Sequence, residues 1–250
     1  MNRTERNYYG NLCTEMYEIL HKEAPQDELA FYLSYAQRDM SILEPLCGSG
    51  RFLVPFLERG LSIKGVDNSR EMLGKLLEKA PDAAVVQSNI ENYRTTERFD
   101  YIFISSGSVS LFTDMSLCKA ILTKMKELLK KGGKFVFAVD TVANRCPDRE
   151  AYSTDTAVDI EENRRLVIQS KSYYDEATRT QFCPSIYELY HNGTLLQQEQ
   201  MDFQIHLYEL GEMDAILQEI GFQKVKVYSS FAKEIAKTNQ TESFFYECGV

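Results

Sequence analysis

Hydrophobic periodicity divides the chain into parts of different character. Before residue 41, apolar residues recur at helical spacing over 12–20 and again over 29–36, which predicts two helices. Between Ser41 and Asp140, short apolar runs alternate with segments of helical periodicity. This alternation is typical of strands joined by right-handed helical crossovers, and it predicts a mostly parallel sheet covered on both faces.

The pattern changes to a period of two after Asp140. Long segments then alternate apolar and polar residues, at 164–174, 179–190 and 194–207. The dipeptides Asp175-Glu176 and Asn192-Gly193 separate these segments, and Asn-Gly is the strongest short signal for a hairpin turn. These features predict an antiparallel β insert.

A helix at about 210–220 and strands at 222–228 and 242–248 close the chain. We therefore expect a single α/β domain with a Rossmann-like, mostly parallel seven-stranded sheet. Its expected parts in chain order are a helical lid (1–40), a cofactor-binding core (41–140), the antiparallel insert (151–208) and a C-terminal helix with strands (209–250).

Composition and charge narrow the class of partner. The 250 residues carry a net charge of -9, with no stripe of lysines or arginines to neutralise successive phosphates, which disfavours nucleic acid. The 6 cysteines include no C-x-x-C pair, so we expect neither a metal centre nor a disulfide framework. No run approaches about 18 apolar residues. We expect a cytoplasmic protein without membrane attachment, either a monomer or a homodimer.

A glycine turn is the strongest candidate for ligand binding. Residues 47–50 read Cys-Gly-Ser-Gly between a strand and a helix, where the backbone can approach a ligand and offer free N–H donors. Asp67 ends the next strand, where a carboxylate suits both hydroxyls of a ribose. A dinucleotide site would usually have a third glycine, but Leu53 stands there. Glu44 suits an ammonium or sulfonium better than a pyrophosphate, which favours S-adenosylmethionine.

The same residues carry a resemblance to a known family. The segment Glu44-Pro-Leu-Cys-Gly-Ser-Gly50 resembles motif I of the class I S-adenosylmethionine-dependent methyltransferases, and Asp67 matches their ribose-binding acid. Residues 99–106 resemble the family's fourth strand, and 128–137 resemble its turn from helix into fifth strand. The chain is most similar to small-molecule N-methyltransferases of the glycine and amino-sugar type, which have N-terminal helices over the cofactor and an antiparallel insert.

The resemblance implies a set of cofactor-binding residues. They are Tyr17, Glu44, Cys47, Gly48, Gly50, Arg51, Asp67, Asn68, Met72, Asn89, Ile90, Ser105 and Ser106. The sequence departs from the family's pattern at two positions. Leu46 stands where the motif usually has its first small residue, and Asn89 replaces the acid that usually accepts from the adenine amine, although its amide oxygen can also accept.

Candidate catalytic residues are few, because methyl transfer from a sulfonium needs mainly alignment and exclusion of water. Alignment alone can contribute about 7 to 11 kcal/mol. Tyr9 and Tyr17 lie in the segment that covers the cofactor in the resembled family, where a tyrosine would contact the cofactor or polarise the methyl group. Packing of an amphipathic helix would also explain both tyrosines. His206 is the candidate general base, because it ends the insert near the helix that returns to the sheet.

The expected reaction is methyl transfer from S-adenosylmethionine to a nitrogen or oxygen of a small-molecule acceptor, with S-adenosylhomocysteine as product. Two alternatives stay open. A nucleotide-dependent reductase or epimerase would use a related sheet, but Leu53, Glu44 and the lack of a Tyr-x-x-x-Lys pair disfavour it. A non-catalytic S-adenosylmethionine-binding module would have the same site without turnover.

Overall fold

The computed structural model describes residues 6–250. A seven-stranded sheet forms the centre of the molecule, in the order β3-β2-β1-β4-β5-β13-β12. Its strands are β1 Ser41–Pro45, β2 Ser62–Asp67, β3 Ala84–Gln87, β4 Phe99–Ile104, β5 Leu129–Asp140, β12 Gln223–Tyr228 and β13 Ser243–Gly249. Strands β1 to β5 pair in parallel, and β13 runs antiparallel to both of its neighbours.

Helices cover both faces of this sheet. They are α1 Asn11–Leu20, α2 Gln26–Leu33, α3 Leu53–Glu58, α4 Arg70–Lys79, α5 Met115–Leu128 and α6 Glu212–Ile220. Alternate residues of β4 enter different cores: Ile102 and Ile104 pack with α5 and α6, whereas Tyr101 and Phe103 pack with α2 and α3. Because the sheet is buried on both faces, its central strands are mostly apolar. None of these helices is long and apolar enough to cross a membrane.

A second, antiparallel sheet follows β5. Its strands are β6 Arg149–Ile160, β7 Arg164–Asp175, β8 Thr180–Phe182, β9 Ser185–His191, β10 Thr194–Met201 and β11 Gln204–His206. Helix α1 packs on this sheet, where Leu12, Cys13 and Met16 share a core with side chains of β7, β9 and β10. The N-terminal helix is therefore fixed to the insert.

The structure confirms the predicted α/β class and the antiparallel sheet, and it corrects several bounds. The predicted strand 179–190 is two strands, separated at Pro184, whose nitrogen cannot donate to a ladder. The predicted strand 194–207 is also divided, into β10 and β11. Strand β6 was not predicted, because most of its residues are exposed and its alternation is weak. Strand β5 begins at Leu129 rather than after the glycine pair at 132–133.

Candidate functional site

The glycine turn lies at the carboxyl ends of β1 and β2, and its two glycines have different roles. Both have left-handed backbone angles, with φ of 52° at Gly48 and 82° at Gly50. A Cβ on Gly50 would lie 2.8 Å from Leu76 Cγ, so this glycine lets the turn pack against α4. A Cβ on Gly48 would meet only Met72 Sδ, at 4.0 Å, among the described residues. Gly48 therefore keeps space open above the turn.

Asp67 ends β2 beside this open space. Its Oδ2 accepts a hydrogen bond from Gly48 N–H and its Oδ1 accepts one from Ser69 N–H, both at 2.8 Å. The residue is 8% exposed, and burial raises the pKa of its carboxyl, while the two N–H bonds and a third from Asn68 oppose the rise. Each carboxylate oxygen has a second lone pair, so Asp67 can hold the turn and accept from two ribose hydroxyls together.

Glu44 and Arg51 bring buried, unpartnered polar atoms to the same edge of the sheet. Glu44 is 1% exposed, accepts a 3.4 Å hydrogen bond from Ser105 Oγ on Oε1, and has a pKa raised by burial. Arg51 Nη2 donates to Ser106 Oγ at 2.6 Å. Within residues 6–250, Glu44 Oε2 and Arg51 Nε have no hydrogen-bond partner. The unpartnered Glu44 oxygen can accept from the ammonium of an amino-acid ligand, and the unpartnered Arg51 N–H can donate to its carboxylate.

Glu28 is a site residue that sequence reasoning missed. It lies on α2, is 7% exposed, and accepts a 2.9 Å hydrogen bond from Ser106 N–H, where Ser106 has a left-handed φ of 55°. Burial raises the pKa of Glu28, and the neighbouring Arg51 opposes that rise. The contact fixes the turn after β4. No local signal marks it, because the two residues are far apart in sequence.

A cavity of about 720 Å³ opens on the other side of the turn. Asn68 and Asn89 line it together with Leu46, so Asn89, which is predicted to accept from the adenine amine, shares one cavity with Asn68. Leu46 has a left-handed φ of 58°, which explains why a small residue is usual at this position of the motif. Ile90 and Met72 are each 3% exposed and form part of the packed surroundings.

The segment before and within α1 lies against the site. Ser69 Oγ donates to the backbone oxygen of Tyr9 at 2.6 Å, which places this segment directly beside Asp67. The rings of Tyr9 and Tyr17 meet edge to face with centroids 5.9 Å apart, and the Arg51 guanidinium lies 5.8 Å from the Tyr17 ring centroid. Burial raises the pKa of both tyrosines. Both predicted tyrosines therefore reach the site.

Two other predicted residues lie differently from expectation. The thiol of Cys47 is buried in the core, where it fills the space above Gly65, so this residue contributes its backbone to the turn and not its side chain. His206 is 3% exposed, and its Nε2 forms a 2.8 Å hydrogen bond with Glu212 Oε1. Its ring packs edge to face on Tyr208. The role of His206 as a base stays a prediction: its contacts hold the ring between β11 and α6, and its Nδ1 has no hydrogen-bond partner among the described residues.

Comparison with known proteins agrees with this geometry. Residues 42–133 match the family model described as a methyltransferase domain. Over this segment, which contains the glycine turn and Asp67, the chain is similar to methyltransferases.

Particular relatives extend the likeness to the rest of the chain. YqeM of Bacillus subtilis, a provisionally assigned methyltransferase, is 22% identical over 93% of each chain. The methyltransferase CcbJ of Streptomyces caelestis has a TM-score of 0.75 at 19% identity, covering 98% of this chain and 99% of its own. The sugar N-methyltransferase KedS8 of Streptoalloteichus has a TM-score of 0.72 at 18% identity, covering 98% of each chain. The chain spans about half the length of two other curated relatives, from Geobacillus and Bacillus cytotoxicus.

Proposed function

We propose that this protein transfers a methyl group from S-adenosylmethionine to a nitrogen or oxygen of a small-molecule acceptor and releases S-adenosylhomocysteine. The observation that carries the proposal is the set of polar groups around the open face of Gly48. Asp67 offers two oxygens, Glu44 an unpartnered oxygen and Arg51 an unpartnered N–H. These groups complement a ribose, an ammonium and a carboxylate, which S-adenosylmethionine carries together.

Each group has a distinct role in this assignment. Asp67 holds the ribose hydroxyls, Glu44 the ammonium and Arg51 the carboxylate, while Asn68 and Asn89 line the cavity that takes the adenine. When bound, the cofactor supplies an electrophilic methyl group on a sulfonium. The chain itself supplies alignment and a site closed to water, which for a displacement reaction are the main contributions.

The N-terminal segment acts as the lid of this site. Glu18 on α1 pairs with Lys79 on α4 at 2.6 Å, and Lys79 also donates to the backbone oxygen of Ser49 in the glycine turn. These contacts link the lid to the motif that binds the cofactor. Tyr9 and Tyr17 lie in this lid with their rings in contact, and we assign them to contact with cofactor or acceptor.

The net charge of -9 would repel nucleic acid, and this favours a small molecule in the cytoplasm as the acceptor. The site contains Glu28, Glu44 and Asp67 against the guanidinium of Arg51. This excess of carboxyl groups favours a cationic cofactor. Both a monomer and a homodimer are compatible with this reaction.

Calorimetry with S-adenosylhomocysteine tests the cofactor assignment. We expect Asp67→Asn to weaken binding by about 10- to 100-fold, because it removes charge-assisted hydrogen bonds worth about 1.5 to 3 kcal/mol. Asp82→Asn is the matched control, because Asp82 is exposed and lies in the loop before β3. Equal affinity of wild type and Asp67→Asn would refute the site, and tighter binding of NAD would refute the class of cofactor.

Transfer of labelled methyl groups tests the activity itself. The wild-type protein is incubated with methyl-labelled S-adenosylmethionine and a library of small amines and alcohols, and label in each acceptor is measured. We expect transfer to at least one acceptor, with strong loss in Asp67→Asn. Binding of S-adenosylhomocysteine without transfer to any acceptor would instead favour a non-catalytic binding module.

A further inference from the structure

Asp140 is a partly buried carboxylate at the carboxyl end of β5 that none of the cofactor contacts uses. Strand β5 pairs in parallel with β4, so Asp140 lies beside the turn that follows β4. The contact is close: a Cβ on Gly107 would lie 2.8 Å from Asp140 Oδ2 and 3.2 Å from Oδ1. Gly107 is therefore the residue that makes room for this carboxylate.

The turn after β4 connects Asp140 to the cofactor groups. Its first residue, Ser105, bonds Glu44, and its second, Ser106, bonds Arg51 and Glu28. Its third residue is Gly107, which faces Asp140. The carboxylate thus lies one residue along the turn from the groups assigned to the methionine half of the cofactor.

Asp140 also lacks the partners that usually accompany a buried carboxylate. Among the described residues, its side chain accepts one hydrogen bond, a 3.2 Å contact to Oδ1 from the amide of Asn144. Burial raises its pKa from 3.8 to about 6, and no cationic side chain of residues 6–250 opposes that rise. A structural carboxylate would normally be paired or exposed. An unpaired one beside a reaction site is better explained by a partner that arrives with the substrate.

We propose that Asp140 binds the nitrogen of the methyl acceptor, and that the acceptor is an amine. The inference rests on the proposed methyl transfer and narrows it from nitrogen or oxygen to nitrogen. An amine donates N–H to the free Oδ2, and its protonated form gains a charge-assisted bond. A hydroxyl acceptor can also donate to a carboxylate, but it carries no positive charge to offset the burial of Asp140. Because of this difference in charge, the proposed acceptor is an amine rather than an alcohol.

Thermal unfolding with matched amines and alcohols tests the proposal. The protein is saturated with S-adenosylhomocysteine and titrated at pH 7.5 with three pairs of probes. They are 2-amino-2-deoxyglucose and glucose, cyclohexylamine and cyclohexanol, and ethanolamine and ethylene glycol. We expect at least one amine to raise Tm more than its alcohol in wild type. In Asp140→Asn the apparent affinity for that amine should fall by about 10-fold or more, to that of its alcohol.

Controls separate this result from a loss of fold or of cofactor. Asp140→Asn should bind S-adenosylhomocysteine within about twofold of wild type, and the exposed Asp82→Asn should keep the full amine preference. Gly107→Ala provides a second variant, because its methyl group would displace the Asp140 carboxylate while every charge is kept. It should also reduce the preference for the amine.

Two results would overturn the assignment of Asp140. One is an equal response to amine and alcohol in wild type across all three pairs. The other is an amine preference that survives in both Asp140→Asn and Gly107→Ala. Failure of S-adenosylhomocysteine to raise the Tm of wild type would overturn the proposed function itself, so the two failures are distinguishable.

Discussion

Replacing Asp140 with asparagine should stabilise the protein at neutral pH. The carboxyl has a pKa of about 6 in the folded state against 3.8 ordinarily, because burial disfavours its charged form. A group whose folded pKa is raised binds its proton more tightly when folded. Its contribution to the free energy of unfolding is therefore fully present below about pH 4 and is lost as pH rises through about 6. Asparagine carries no charge at any of these pH values, so it avoids that loss.

The pKa difference sets the size of the effect. About two pKa units at about 1.4 kcal/mol each give a gain on the order of 3 kcal/mol for Asp140→Asn above pH 7, and about half of that at pH 5. The hydrogen bond with Asn144 can be kept by the asparagine side-chain oxygen, so packing should not offset the gain.

Urea unfolding of wild type and Asp140→Asn at pH 5.0, 6.0 and 7.5 measures this directly. We expect the difference in unfolding free energy to grow with pH, while the exposed Asp82→Asn changes it by less than about 0.5 kcal/mol at each pH. A difference independent of pH, or a variant less stable than wild type at pH 7.5, would refute the reasoning. If the variant is more stable than wild type but no longer binds the amine, the Asp140 carboxylate lowers the stability of wild type in exchange for binding.

Three further substitutions test how the site is built. Gly48→Ala should weaken S-adenosylhomocysteine binding at least tenfold and lower the free energy of unfolding by about 1 kcal/mol, because the residue has a left-handed φ. Gly50→Ala should lower the free energy of unfolding by about 2 to 4 kcal/mol, because its methyl group also meets Leu76. Calorimetry and urea unfolding of both variants check this contrast. Glu199→Ala should destabilise α1 by about 1 to 2 kcal/mol and speed amide exchange at Leu12 and Cys13, whose N–H groups donate to the Glu199 carboxylate at 3.0 and 3.1 Å. Unchanged exchange there would show that packing alone holds the helix.

The parts of the site that sequence reasoning reached are local in sequence. The strand, the glycine turn and Asp67 lie within about one βαβ unit, whose geometry places successive strand ends at one edge of the sheet. That rule suffices to bring Asp67 beside Gly48, and the structure has the hydrogen bond between them. The lid tyrosines were predicted from resemblance to a family, which carries information about tertiary contacts that periodicity lacks.

The parts that sequence reasoning missed depend on contacts between distant segments. Glu28 reaches Ser106, and Glu199 on β10 caps α1, which has neither a side-chain N-cap nor an acidic residue in its first turn. That missing cap was a readable signal, because unsatisfied N–H groups at a helix start require an acceptor from elsewhere. The hydrogen bond between Glu212 and the His206 ring is another such contact, which the position of His206 in the chain does not reveal.

Carboxyl groups with raised pKa values should also make cofactor binding release protons. Burial raises the pKa of Asp140 to about 6, so at pH 6 the free protein holds a partial proton there that an arriving positive charge will expel. S-adenosylmethionine and S-adenosylhomocysteine share their amino acid and differ by the charged sulfonium. We therefore expect S-adenosylmethionine to release more protons on binding, by up to about 0.5 per molecule at pH 6, where Asp140 is about half protonated.

Calorimetry of both ligands in buffers of different ionisation enthalpy measures the protons released. The difference between the ligands should shrink at pH 8, where Asp140 is already ionised, and it should fall in Asp140→Asn if this carboxylate senses the sulfonium. The exposed Asp82→Asn should leave the difference unchanged. Equal proton release by the two ligands at pH 6 would mean that the sulfonium binds away from the turn after β4. Asp140 would then be too distant from the methyl group to hold the acceptor.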